Sequence, residues 1–290
     1  MPFAWCAAPS TREGSSREGG RYGVAHVWTA RENAVRHRPF EPSRHRLIAV
    51  ASRTSRSARW AGVALALLML ALTAAHAQVG AGDRLVDQGR FEEAVARYDE
   101  AIAADGSNAV AYRQRARAQV YWADDLPSGE DDAKRRLYDL AITDAERAVE
   151  LAPDDPGTHF EVARALGRAA QYRGVLASLN LAARVADALD LVLEMDPDHA
   201  AAWHAHALYR HEVPWIAGGR AGRVVPSFER AIELEPDEIS HRVGLAGVLI
   251  DREAYDEAAR QLDAALALTP RTYLDGRDLA EARALVDRLP

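Results

Sequence analysis

EAYDEAARQLDAALALTP, residues 253–270, repeats the plan of GRFEEAVARYDEAIAADG, residues 89–106. With Gly89 set against Glu253, the aromatics Phe91 and Tyr255 coincide, and acid, acid and alanine follow in both segments. The two aromatics lie 164 residues apart. Self-similarity at this distance is the mark of a repeat architecture, so the sequence between them should carry further copies.

Those copies are found at their ends. AVELAPDDP (148–156), VLEMDPDHA (192–200), AIELEPDEI (231–239) and ALALTPRTY (265–273) each place a small or branched apolar residue five positions before a proline. Proline cannot continue a helix and glycine relieves the same turn, so Gly106, Pro153, Pro197, Pro236 and Pro270 each stop the second helix of a hairpin. Successive stops are 47, 44, 39 and 34 residues apart. Against a unit of 34, the first three steps carry surpluses of 13, 10 and 5, which close the arithmetic between the two opening segments.

A unit of 34 residues with these ends resembles the tetratricopeptide repeat family over essentially all of residues 75–270. The family pattern wants a small residue at its eighth position, where this chain has Gly82, Ala116, Ala163, Ala207 and Ala246. At the twentieth stand Ala94, Ala141, Val185, Val224 and Ala258, and at the twenty-seventh Ala101, Ala148, Val192, Ala231 and Ala265. Small side chains at these places let two antiparallel helices approach closely. Tyr98, Leu189, Phe228 and Leu262 at the twenty-fourth fill the space between hairpins, and Trp203 falls on an aromatic position of the pattern.

The third and fourth copies depart from it, with valine for alanine and lengthened hairpin turns expected. The resemblance implies an all-α, right-handed superhelical solenoid of about five helix hairpins, with repeats near 75–108, 109–155, 156–199, 200–238 and 239–272. The solenoid is expected to span 78–276. Leu279, Ala282, Leu285, Val286 and Leu289 then give an amphipathic capping helix at 277–290.

The first quarter of the chain reads differently. AGVALALLMLALTAA, residues 61–75, is uncharged, follows Arg53, Arg56 and Arg59, and ends in the small-x-small pattern Ala75-His76-Ala77. This describes a secretory signal peptide at 50–77 with cleavage expected after Ala77. The run is shorter than the ~20 residues that span a bilayer, which leaves an uncleaved anchor as the alternative. Residues 1–49 read as a leader from a start site assigned too early, with Val50 as the initiation codon. A bacterial periplasmic or secreted location is therefore expected.

From Gln78 onward the chain holds 25 basic and 39 acidic residues, a net charge near −14, which argues against a nucleic-acid footprint. Cys6, the sole cysteine, lies in the leader, so no disulfide, thiolate chemistry or thiolate-bound metal is expected in the exported part. Lys134 is the sole lysine.

In the resembling family, ligand contacts come from positions 2, 5, 9, 12 and 13 of the first helix of each hairpin, which lines the concave side. Carried onto this chain, these give Arg113, Arg117 and Tyr121, then Phe160, Arg164 and Arg168, then His204, His211 and Glu212. Arg113 with Arg117, and Arg164 with Arg168, are i,i+4 pairs that share a helix face whatever the register. Four arginines on one wall of an acidic protein form a cradle for carboxylates. The competing reading pairs them with local acids such as Glu161 or Asp144.

No catalytic constellation is present. His204 and His206 point about 200° apart on a helix, and His204 and His211 stand roughly 10 Å apart along it, so no metal site is expected. IAGGRAGR, 216–223, lacks the ending of a phosphate loop and reads as a widened turn. ADDLPSGEDD, 123–132, reads as a polar excursion in which Asp124 and Asp125 are solvated turn residues. Trp203 and Trp215 read as packing residues. No cofactor is expected.

The stretch 164–250, containing VADALDLVLEMDPDHAAAWHAHALYRHEV, also resembles the tetratricopeptide domain of the regulator of microtubule dynamics family, which has bacterial relatives. Only that family's binding-scaffold role suits an exported protein. The Pro-x-x-x-Gly-Gly stretch at 214–219 resembles the periplasmic tetratricopeptide component of certain organic-acid transporters. The expectation is an exported, non-catalytic scaffold that holds a peptide or envelope protein, acidic or otherwise, in its groove. The alternative is an accessory subunit binding an acidic small solute for a transporter. Neither reading calls for nucleic acid or, apart from an uncleaved anchor, a membrane.

Overall fold

The computed structural model describes residues 75–171, 175–213 and 223–290, with residues 60, 61, 63, 65, 69 and 73 ahead of them. The leader at 1–49 and most of the apolar run lie outside the described residues, as do Trp215 and the Pro214–Gly219 stretch. Among the described residues there are eleven helices and no strand. Helix α1 (residues 75–87) pairs with α2 (Phe91–Ala104), and α3 (Ala109–Asp125) with α4 (Asp131–Leu151). Next come α5 (Pro156–Gln171) with α6 (Val175–Met195), and α7 (Ala200–Glu212) with α8 (Val224–Leu234). Last are α9 (Ile239–Asp251) with α10 (Tyr255–Leu266), and then α11 (Tyr273–Val286).

Four of the five second helices stop just before the residue that forbids continuation, while α10 ends at Leu266, four residues before Pro270. α4, α6 and α8 end two residues before Pro153, Pro197 and Pro236, and α2 ends two before Gly106. Two of the helices that follow these stops are capped by a side chain. Asn108 accepts a hydrogen bond from the Ala111 amide, and the His199 imidazole accepts one from the Ala202 amide. Such caps satisfy amides that have no partner inside the helix.

Packing runs from neighbour to neighbour. Each helix from α2 to α11 packs on the next, and α11 lies on both α9 and α10. Beyond this, α3 touches α5, α5 touches α7, α7 touches α9, and α9 touches α11. The first helices therefore form a continuous inner layer and the second helices an outer one, the arrangement of a helical solenoid. The apolar interior follows the same plan. It divides into a cluster around Tyr98 in the first hairpin, one around Tyr138 and Leu166, and one around Phe228 and Leu262.

The small residues at the eighth, twentieth and twenty-seventh positions are buried in every hairpin where they carry a side chain. Gly82 shows why the first hairpin has glycine there. A Cβ on Gly82 would stand 2.5 Å from a ring carbon of Tyr98, well inside contact distance. The bulk of Tyr98 at one position takes the space of a methyl at the other.

Three expectations need correction. The surplus length of the third hairpin is not a widened turn: α5 ends at Gln171 and α6 begins at Val175, and α6 itself runs for 21 residues. Leu181, Val185, Leu189 and Val192 keep an apolar stripe facing inward along it, so added residues extend the helix. In the fourth hairpin, the stretch between Glu212 and Val224 that carries the expected long turn lies outside the described residues at 214–222. The final helix starts at Tyr273, four residues ahead of 277, because Thr272 and Asp275 form a capping box; its Val286 is exposed rather than buried.

Lys134 is buried on the first turns of α4. No helix among the described residues is long and apolar enough to cross a membrane.

Candidate binding groove

The inner layer brings together the arginines that the repeat register assigned to it, and places each near a carboxylate. Asp83, Arg117 and Arg164 occupy the same register position on α1, α3 and α5. Arg164 Nε donates to Glu161 at 2.9 Å, and its Nη1 donates to the Tyr121 hydroxyl at 3.1 Å. Its guanidinium lies 4.7 Å from the Phe160 ring centre and 5.4 Å from that of Tyr121. A weakly hydrated planar cation suits such a place between two π faces. The nearby Glu161 and Tyr121 hold its pKa above the usual guanidinium value against the opposing effect of burial.

Arg113 is equally committed. Its Nη1 meets Asp155 at 2.8 Å, in the turn before α5, and Gly157 is without a side chain where the guanidinium passes. Arg117 and Arg168 are held more loosely. The closest approach of Arg117 to Asp83 is 3.7 Å, and that of Arg168 to Asp124 is 3.3 Å. Both carboxylates are already engaged. Asp83 accepts from the Tyr98 hydroxyl and from Gln114, each at 2.8 Å, and Asp124 accepts from the Tyr138 hydroxyl at 2.8 Å. The Nε of Arg117 is buried with no hydrogen-bond partner. These two guanidinium groups can be drawn toward a ligand without stranding a buried carboxylate.

Asp124 and Asp125 are thus helical rather than turn residues, Asp124 half-buried and Asp125 exposed as expected. They lie in the last turn of α3, where Asp124 joins α3 to α4 and α5 while Asp125 accepts a hydrogen bond from Tyr273 at 2.7 Å. Of the local acids weighed as arginine partners, Glu161 takes Arg164. Asp144 instead takes Arg115, which donates to both carboxylate oxygens at 2.7 and 2.6 Å. Arg115 faces α4 and α2, away from the inner layer, and ties three helices together through Asp144 and Asp99.

The histidines on α7 separate. His204 Nδ1 lies 3.0 Å from His241 Nδ1 on α9, and its ring meets Phe228 edge-on. Burial, then the neighbouring His241, Arg164 and Arg168, push its pKa down to about 3, which places His204 beside the two α5 arginines as a neutral ring. His206 points elsewhere, toward Ser227 and Arg210, with its pKa pushed down by burial to about 4. His211 meets Asp251 at 3.1 Å, and Asp251 also meets Arg288. Glu212 ends α7 and is exposed. Trp203 packs edge-on against His206 and donates its indole hydrogen to the Pro197 carbonyl at 2.8 Å. Among the described residues no cluster of histidine, cysteine or carboxylate groups is placed to hold a metal ion.

The candidate groove is therefore a strip of arginine, tyrosine, phenylalanine and histidine on α3, α5 and α7, edged by Asp83, Asp124 and Asp155. Reading the sequence missed Asp83, Asp124, His199 and His241. His199 caps α7 and meets Phe160 at a tilt, with ring centres 4.8 Å apart and planes at 44°. Asp83 was within reach of the repeat register, since it stands where Arg117 and Arg164 stand in the following hairpins.

The family model described as Regulator of microtubule dynamics protein 1-3 matches residues 79–215. The match begins in the first hairpin, well ahead of the stretch from 164 on which the resemblance rested. None of the curated proteins matches the chain. Among solved structures, a thermophilic TPR protein of Thermus thermophilus superposes with a TM-score of 0.59 at 19% identity, over 73% of this chain and 100% of that one. PilF of Pseudomonas aeruginosa gives 0.44 at 17% identity, over 75% of this chain and 87% of that one. MamA of Desulfovibrio magneticus RS-1 gives 0.43 at 16% identity, over 67% and 94%.

Proposed function

Because the chain is a tetratricopeptide-type helical repeat protein, we propose that it is an exported, non-catalytic scaffold that holds an extended peptide segment of an envelope partner along its inner layer. A solenoid gives a long, shallow surface made of several hairpins, which suits a chain-like ligand better than a compact one. The observation that carries the reading is the difference among the four arginines. Arg113 and Arg164 are fixed by short pairings, whereas Arg117 and Arg168 stand 3.7 and 3.3 Å from carboxylates that already have other donors. A carboxylate on the partner would recruit these two.

Export is supported by the basic flank, the apolar run and the Ala75-His76-Ala77 exit. Trp60, Val63, Leu65 and Met69 in that region are exposed apolar side chains, as expected of a segment meant for the export machinery and not for the core. Cleavage after Ala77 would leave α1 starting at Gln78. The reading as an acidic-solute subunit gains no comparable support, since an enclosed cation cluster is what it needs and every groove arginine faces a carboxylate of its own chain.

The test is capture from envelope extract by the exported protein, with Arg117→Gln and Arg168→Gln combined. The double variant should keep its helical circular dichroism and lose its captured partner. Undiminished capture would overturn the reading. N-terminal sequencing of the exported protein should begin at Gln78.

A further inference from the structure

Tyr273 is the first residue of α11, at the far end of the chain from the first hairpin, yet it rests on that hairpin. Its direction is set locally. The Asp275 carboxylate accepts from the Arg271 and Thr272 amides at 2.6 and 3.1 Å, while the Thr272 hydroxyl accepts from the Asp275 amide at 3.1 Å. This reciprocal capping leaves the helix start little freedom, so Tyr273 projects in one direction.

What it meets is shaped to receive it. Its ring stands edge-on to Phe91 with centres 5.8 Å apart and planes at 76°. Gly89 lies under the ring, where a Cβ would come within 2.5 Å of it. Its hydroxyl donates to Asp125 at 2.7 Å, across 148 residues of sequence. That hydrogen bond raises the phenol's pKa, as donation to a carboxylate must. Leu274 beside it packs against the first hairpin's apolar cluster. An edge-to-face pair, a charge-assisted hydrogen bond and an aliphatic contact thus join the last helix to the turn of the first hairpin and the end of α3. In a solenoid, where packing otherwise runs only from one unit to its neighbours, a contact between the terminal units is an additional constraint.

We propose that Tyr273 is a strap that fastens the two ends of the solenoid together, and that its release opens the inner layer to an extended partner. Tyr273 keeps 41% of its surface exposed, so the fastening is shallow and reversible, unlike the sealed Tyr98 and Tyr138. The fastening itself stands on the geometry alone. The consequence for partner access rests on the groove reading above.

The experiment measures the distance between the ends. Spin labels are placed at Glu92→Cys and Glu281→Cys, both exposed, in the full chain carrying Cys6→Ser. With Tyr273 present, the labels should give one narrow distance distribution. Tyr273→Ala should lose that peak to a broad distribution with a longer mean. Tyr273→Phe, which removes the hydrogen bond, and Asp125→Asn, which removes the charge that strengthens it, should each broaden it partly, and these two serve if the alanine variant fails to fold. An unchanged narrow peak in the folded variants would overturn the proposal. If the ends separate in Tyr273→Ala but capture from envelope extract is not faster than for the unaltered chain, the strap stands and the groove reading fails.

Discussion

Gly89 and Glu253 occupy the same place in the first and last hairpins, and both have a left-handed backbone, with φ of +75° and +61°. The tight turn between α1 and α2 and that between α9 and α10 are the same turn. In each, the residue after the turn donates its amide back to a carbonyl near the end of the first helix: Arg90 to Leu85 and Ala254 to Leu249, each at 2.9 Å. Glycine takes this conformation without a steric penalty, while a residue with a Cβ is strained by it.

Glu253→Gly should therefore raise stability, by about 0.5–1 kcal/mol, as the relief of one left-handed residue outweighs the greater freedom of glycine in the unfolded chain. Urea unfolding followed by circular dichroism measures it. A lower midpoint for the glycine variant would show that the Glu253 side chain supplies more than its backbone costs.

Arg115 and Asp144 make the second prediction. Their two-point pairing is enclosed between α3 and α4, with Gln119 donating to the same carboxylate at 3.0 Å. Arg115→Met leaves Asp144 charged and enclosed and should cost about 3 kcal/mol, whereas Asp144→Ala should cost less, because Arg115 keeps Asp99. The double replacement Arg115→Met with Asp144→Leu should cost much less than the sum, because no orphan charge remains. A double-mutant cycle in urea reads the coupling.

The histidines make the third. Burial is the leading cause that lowers the pKa of His199, His204, His206 and His241, with His204 at about 3 and His206 at about 4. The unfolded chain binds protons at these sites near pH 6.5 while the folded chain resists them, so the unfolded state holds more protons below that pH. Their contribution is complete above about pH 6.5 and declines as pH falls toward 4.

Asp278 works the other way: burial raises its pKa to about 6, so it adds stability on acidification, as one group against four. The urea midpoint should therefore fall between pH 7 and pH 5. His204→Asn with His241→Asn should flatten the decline.

Most of the architecture was legible because each hairpin had to satisfy the same close-packing condition. Ala94, Ala141 and Ala258 recur since two helix backbones approach there, and a proline or glycine recurs where the second helix must stop. Length was harder to place. The extra residues of the third hairpin could have lengthened either a turn or a helix, and only the inward stripe from Leu181 to Val192 decides for the helix. The placement of the candidate arginines on first helices was legible, but their charge balance was not. Arg113, Arg117, Arg164 and Arg168 do lie on first helices, and Arg164 takes Glu161 of its own helix, yet the partners of the other three come from α1, from the end of α3 and from the turn before α5. Pairings such as Arg117 with Asp83 depend on how one hairpin is rotated against the next, which no single stretch of residues encodes. Tyr273 was illegible for the same reason: its partners are fixed by the path of the whole solenoid.

Lys134 offers a last consequence. A protease that cuts only after lysine finds one susceptible bond in the whole chain, and the side chain it must grip is enclosed on α4. Digestion has to wait until that stretch of the second hairpin loosens, so the appearance of a single new amino terminus at Arg135 would time the breathing of one unit within the array while the others remain silent.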